Sequence, residues 1–206
     1  MKKMRRQKLT LLLIGVVMAA ALPGCVVTSV APFYTEKDLV FEPALVGDWI
    51  KQGDNSDQEV WKFEKKGNLS YRFTLITAEK ATLMEAHAFK LQGQVFVDVA
   101  SIEKDWAIIP PHYLLKVSQV TPSLRMATFR HEWLKQLVEK DPNAIMHQIV
   151  KSGDDPGDRR VVLMAGTPHL QSFVLKYLKT ADAWDSEFEM TREQAVATTL
   201  QKGGKK

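Results

Sequence analysis

Leu69-Ser70-Tyr71-Arg72-Phe73-Thr74-Leu75 alternates apolar and polar side chains without a fault. A period of two puts Leu69, Tyr71, Phe73 and Leu75 on one face and Ser70, Arg72 and Thr74 on the other. That is the signature of a strand with one face in a core and one in water. Working outward, Lys66-Gly67-Asn68 reads as the turn that joins it to Glu59-Val60-Trp61-Lys62-Phe63. Before that lie the polar cluster Gly53-Asp54-Asn55-Ser56-Asp57 and the run Leu45 to Ile50. Downstream, strands read at Thr82 to Lys90, Val95 to Val99, Tyr113 to Val120 and Leu124 to Phe129. Gln92-Gly93-Gln94 and Thr121-Pro122-Ser123 form tight connections between them. Short strands with turn residues every eight to twelve positions or so predict an antiparallel barrel or sandwich.

Two helices interrupt this rhythm. His131 to Lys140 carries Trp133, Leu134, Leu137 and Val138 on one side and stops at Asp141-Pro142. Thr167-Pro168 reads as an N-cap with proline at the first helical position, and Leu170, Phe173, Val174, Tyr177 and Leu178 follow as one apolar stripe. Between them, Ile145 to Val150 and Arg160 to Ala165 read as a hairpin, and Glu187 to Arg192 as the last strand. The expected organisation is a leader over 1–24, a linker over 25–42, a mostly β domain with two added helices over 43–195 and a disordered tail over 196–206.

The leader fixes the address. Lys2, Lys3, Arg5, Arg6 and Lys8 precede an apolar run from Leu9 to Leu22, then Leu22-Pro23-Gly24-Cys25. A basic start, a short apolar stretch and a small residue before the cut make a secretory signal peptide. The apolar run is shorter than the roughly 20 residues that span a bilayer comfortably. Leu22, Gly24 and Cys25 resemble the bacterial lipobox, although Pro23 stands where a small or aliphatic residue is usual. The resemblance implies cleavage after Gly24 and acylation of Cys25, which would tie the protein to the cell envelope by its N-terminal acyl chains. Val26 after the cysteine points, by analogy with enteric bacteria, to the outer membrane and the periplasmic side.

Losing that leader changes the charge. The chain has 28 Lys plus Arg against 24 Asp plus Glu, and the first 24 residues hold five of the basic ones and no acidic one. What remains, 23 against 24, is near neutral, so the sequence pI of about 9.1 belongs to the leader and argues for no nucleic-acid partner. Cys25 is the only cysteine, which leaves no disulfide and no catalytic thiol.

At Gly47-Asp48-Trp49 the chain resembles the opening motif of lipocalins and of lipocalin-like bacterial lipoproteins. The resemblance implies a barrel whose end is stoppered by Trp49, with Arg192 from the last strand packed across the ring. Gly47, Trp49 and Arg192 carry all of it.

Signals for chemistry are sparse. His87, His112, His131, His147 and His169 are scattered without a zinc-type pair, and there is neither a nucleophile elbow nor a phosphate loop. Asp54, Asp57 and Glu59, like Asp154, Asp155 and Asp158, have the composition of a calcium loop but not its spacing. Glu85 and His87 share a strand face and are the one fragment of a polar site. Trp61, Phe63, Tyr71 and Phe73 read as core, with a stacking platform for a ligand as the alternative. No catalytic residue, metal or cofactor is expected. The expected function is a lipid-anchored binding module for a small apolar or amphipathic ligand. The alternative is a structural lipoprotein that docks onto an envelope protein, and an enzyme ranks behind both.

Overall fold

The computed structural model describes residues 26–51, 58–102, 109–151 and 159–193. The leader and Cys25 with its lipobox neighbours therefore lie outside the described residues, as do Asp54, Asp57, Asp154, Asp155, Asp158 and the tail over 196–206. The fold is mostly β, an eight-stranded closed antiparallel barrel with two helices.

Among the described residues eleven strands follow in chain order: β1 (Thr28–Ser29), β2 (Gly47–Lys51), β3 (Glu59–Lys66), β4 (Ser70–Ile76), β5 (Ala81–Leu91), β6 (Gln94–Ser101), β7 (His112–Gln119), β8 (Leu124–Thr128), β9 (His147–Lys151), β10 (Arg159–Leu163) and β11 (Phe188–Arg192). The helices are α1 (His131–Lys140) and α2 (Thr167–Lys176). Strands β2 to β8 pair each with the next, and β11 closes the ring between β8 and β2. Closure leaves the barrel no free edge, which is how an all-antiparallel fold escapes edge-to-edge association. The β5–β6 connection is a two-residue turn with φ of 47° at Gln92 and 86° at Gly93. Positive φ at both central residues is what a tight hairpin needs to match strand twist, and glycine takes it without strain.

Alternation along the strands creates two cores on opposite sides of one wall. Trp49, Phe63, Tyr71, Phe73, Ala86, Ala88, Val97, Leu115, Met126 and Met190 fill the barrel. From the same strands Phe89, Leu91, Phe96, Leu114, Ala127 and Phe129 point outward and meet Leu134 and Val138 of α1, Leu170, Phe173 and Val174 of α2, and Trp184. The wall from β5 to β8 is thus apolar on both faces because the helices cover it, whereas β4 keeps a wet outer face at Arg72.

Three expectations need correction. The stretch 25–42, expected as a linker with Phe33, Tyr34 and Phe41 lying partly against the domain, is packed on the domain from Val26 onward, beyond those aromatics. Thr28–Ser29 is inserted between β7 and β10, Val27 and Phe33 are buried, and Leu39 bridges to Phe89. The segment was unreadable because it has neither period: it runs along the domain surface and pairs with several elements in turn. Thr167 is not an N-cap, since Gly166 takes that place and the Thr167 hydroxyl donates to the Pro32 carbonyl at 2.7 Å. Leu69, expected in the alternating strand, falls in the β3–β4 turn and is exposed.

Candidate functional site

The end of the barrel at which β2 begins is sealed. Pro43–Leu45 forms a single turn of 3-10 helix, with proline at its start and the Glu42 carboxylate accepting from the Ala44 N–H. Such a turn leaves its last carbonyls without partners. Three successive ones are taken up by the predicted motif. Trp49 Nε1 donates to the Leu45 oxygen at 2.8 Å, Arg192 Nη2 to Ala44 at 2.6 Å and Arg192 Nη1 to Val46 at 3.0 Å. Trp49 and Arg192 are register partners on β2 and β11, and the guanidinium carbon lies 4.4 Å from the centre of the fully buried indole ring. The charge thus sits over the negative face of the ring while its fork binds carbonyls.

Gly47 completes the arrangement. Its φ is 138°, and a methyl group there would come within 2.6 Å of Arg192 Nη1. Gly47, Trp49 and Arg192, which the sequence could only propose as a set, therefore share one end of the barrel. Tyr71 belongs to the same seal. Its hydroxyl accepts from the Glu42 N–H at 2.7 Å and donates to the Glu42 carbonyl at 3.1 Å, and burial pushes its pKa up to about 12. The chemistry of these groups is structural.

The opposite end differs. There Trp61, Leu75, Met84, Tyr113 and Phe188 point along the inner face but are only half-buried. Trp61 stands edge-on to Phe73 and Phe188, at centroid distances of 5.2 and 5.4 Å. Ile76, Ile102 and Ile109 are exposed where β4 and β6 end and before β7 begins, Ile109 at 68 %. A loose ion pair stands at this mouth. Lys51 Nζ lies 3.8 Å from Glu59 and 5.2 Å from the centre of the Phe188 ring, and Glu59 accepts from Trp61 Nε1 at 2.5 Å. Beside it, Lys51, Phe188, Glu189 and Thr191 line an open notch of about 380 Å³. Lys51 and Phe188 were missed as site residues, because nothing in their local sequence separates them from ordinary strand residues.

Glu85 and His87 do come together, at 3.9 Å, on the outer wall, but half-exposed rather than in a dry cleft. The fold adds to them groups that no spacing could reveal. Asp98, almost wholly buried, accepts from the Phe33 N–H at 2.9 Å and from His112 Nδ1 at 2.7 Å. The Tyr34 hydroxyl meets His87 Nδ1 at 3.1 Å, and the two rings lie 4.7 Å apart. Burial, with Asp98 and Glu85 nearby, raises the Tyr34 pKa to about 12, so the hydroxyl stays protonated. Burial also lowers the pKa of His87, outweighing the opposite pull of Glu85 and Asp98. The result is a latch that holds residues 33 and 34 on the barrel wall. Among the described residues, no three His, Cys, Asp or Glu side chains converge on a metal position.

Comparison with protein families, curated proteins and solved structures returns no match to this chain. Among the described residues no helix is long and apolar enough to cross a membrane, a statement that does not bear on strands.

Proposed function

We propose that the protein is an envelope lipoprotein, held at Cys25 to the outer membrane and facing the periplasm, whose lipocalin-like barrel binds a small amphipathic ligand at its open end and performs no chemistry on it. The observation that carries this reading is the contrast between the two ends of the barrel. One is stoppered by Trp49 and Arg192, while the other presents half-buried aromatic and aliphatic side chains beside the Lys51–Glu59 ion pair. Apolar walls with a few converging polar groups are the usual make-up of a small-molecule site. The ligand's apolar part would lie on Trp61, Met84 and Phe188, and its polar end at Lys51 and Glu59.

A second reading has its own support. Phe63, Tyr71 and Phe73 are fully buried in mutual contact, with Phe63 and Phe73 stacked at 4.7 Å, so the lower barrel is filled by protein. A filled barrel suits a structural lipoprotein that docks onto an envelope protein. Displacement of a fluorescent fatty acid from the chain starting at Val26, made without its lipid, separates the two. Saturable binding that weakens at least tenfold in Trp61→Ala supports the ligand reading. No saturable binding leaves the docking reading.

A further inference from the structure

The methionines among the described residues fall into two groups. Met126 and Met190 are fully buried in the barrel, and Met84 packs half-buried against the same core. Met146 and Met164 break the pattern, being 70 % and 40 % exposed. They are also neighbours. β9 and β10 pair antiparallel with His147 opposite Leu163, and the Met164 N–H donates to the Met146 carbonyl at 2.9 Å, which carries the register one step further. Directly opposed residues of such a pair share a face, with Cβ atoms about 4.5–5.5 Å apart. Leu163 is fully buried, so alternation turns both methionines away from the core.

Two exposed thioethers side by side have a definite chemistry. At roughly 2.3 Å for a metal–sulfur bond, one ion between two sulfurs needs them about 4.6 Å apart at most, within reach of two long, unbranched side chains on such Cβ atoms. A thioether is neutral and soft, so it does little for magnesium, calcium or zinc and favours Cu(I). The surroundings do not oppose a cation. Gln148 and Val162, the next pair on that face, are uncharged. Arg160, on the same face, is four residues from Met164 along β10, some 13 Å at about 3.3 Å per residue. The connection from Lys151 to Arg159 lies at the other end of the two strands, five residues from Met146, roughly 16 Å by the same rise. His147 faces the core side with Leu163, and its Nδ1 donates to the Ile145 carbonyl at 2.9 Å.

We propose that Met146 and Met164 form a surface site for a soft monovalent cation, Cu(I), held between their two sulfurs. The site is separate from the mouth of the barrel and independent of what binds there. The test uses the chain starting at Val26, which contains every described element, released from a cleavable fusion so that neither Cys25 nor an initiator methionine remains. It is isotope-labelled at the methionine methyl groups and titrated with Cu(I) under ascorbate without oxygen, with affinity read by competition against bicinchoninate. One ion binds per chain, and the methyl signals of Met146 and Met164 move in step while those of Met84, Met126 and Met190 stay. Met146→Leu and Met164→Leu, which keep the apolar bulk and the urea midpoint, each bind about tenfold more weakly or worse, because a single thioether is left. Absence of Cu(I) binding overturns the proposal, as does unchanged binding in the double Leu variant. Signals of the two methionines that move at different Cu(I) concentrations show two separate sulfurs and overturn the shared site. Loss of binding in His147→Gln, with both Leu variants binding normally, places the ion on imidazole and overturns it as well.

Discussion

Gly47→Ala should destabilise the protein in part through a residue 145 positions away. Two costs add. The first is local: at φ of 138° an L-residue is strained, by roughly 1–3 kcal/mol for such backbone regions. The second is transmitted. The new methyl would stand 2.6 Å from Arg192 Nη1, so the guanidinium must leave the two carbonyls it caps at 3.0 and 2.6 Å. Hydrogen bonds from a charged donor contribute about 1.5–3 kcal/mol each when buried, but Arg192 is only partly buried and water can replace it, so about 1–2 kcal/mol is the expected loss. The total is about 2–5 kcal/mol. Arg192→Ala alone should cost about 1.5–3 kcal/mol, including the ring contact with Trp49. In the double variant the clash has vanished, and only the backbone strain is added to the Arg192 loss. The cycle should therefore show a coupling of about 1–2 kcal/mol. Urea unfolding followed by tryptophan fluorescence, on the chain starting at Val26, measures all four corners. Strict additivity would refute the view that Gly47 is there to let the guanidinium approach.

Trp49→Ala should cost about 3–5 kcal/mol, because the ring is fully buried and its removal leaves both a cavity and an uncapped Leu45 carbonyl; the same urea titration reads it. Acid should weaken the latch at residues 33 and 34. The pKa of His87 is lower folded than unfolded, so below about 6.5 the unfolded chain takes a proton that the folded one resists. The stability it contributes is present above that value and is lost as pH falls through the folded pKa. His87→Gln, which still accepts from Tyr34 and does not titrate, should flatten the stability profile between pH 7 and 5, as seen by urea midpoints at each pH.

Much of this molecule can be read locally. Strict alternation in Tyr71-Arg72-Phe73-Thr74-Leu75 is enough to define a half-wet strand, since strand side chains alternate whatever the partner. The span His131–Lys140 was likewise readable in full, because its apolar stripe and the Asp141-Pro142 stop are properties of neighbouring residues. Gly47, Trp49 and Arg192 could be named from a resemblance, but only the closing of β11 onto β2 brings Arg192 over the ring.

Other features depend entirely on the fold. Asp98 meets Phe33 and His112, and Tyr34 meets His87, across 65, 14 and 53 residues, and hydrogen bonds at such separations leave no spacing rule behind. Residues 26–42 lack any period because the stretch meets β10, β7 and β5 in turn rather than one partner strand throughout. Sequence by itself determined most of the strands and the two helices, since those follow from the order of neighbouring side chains. Tertiary structure alone decided which end of the barrel is sealed and that Thr28–Ser29 is paired between β7 and β10, since both depend on which distant strands the chain brings side by side.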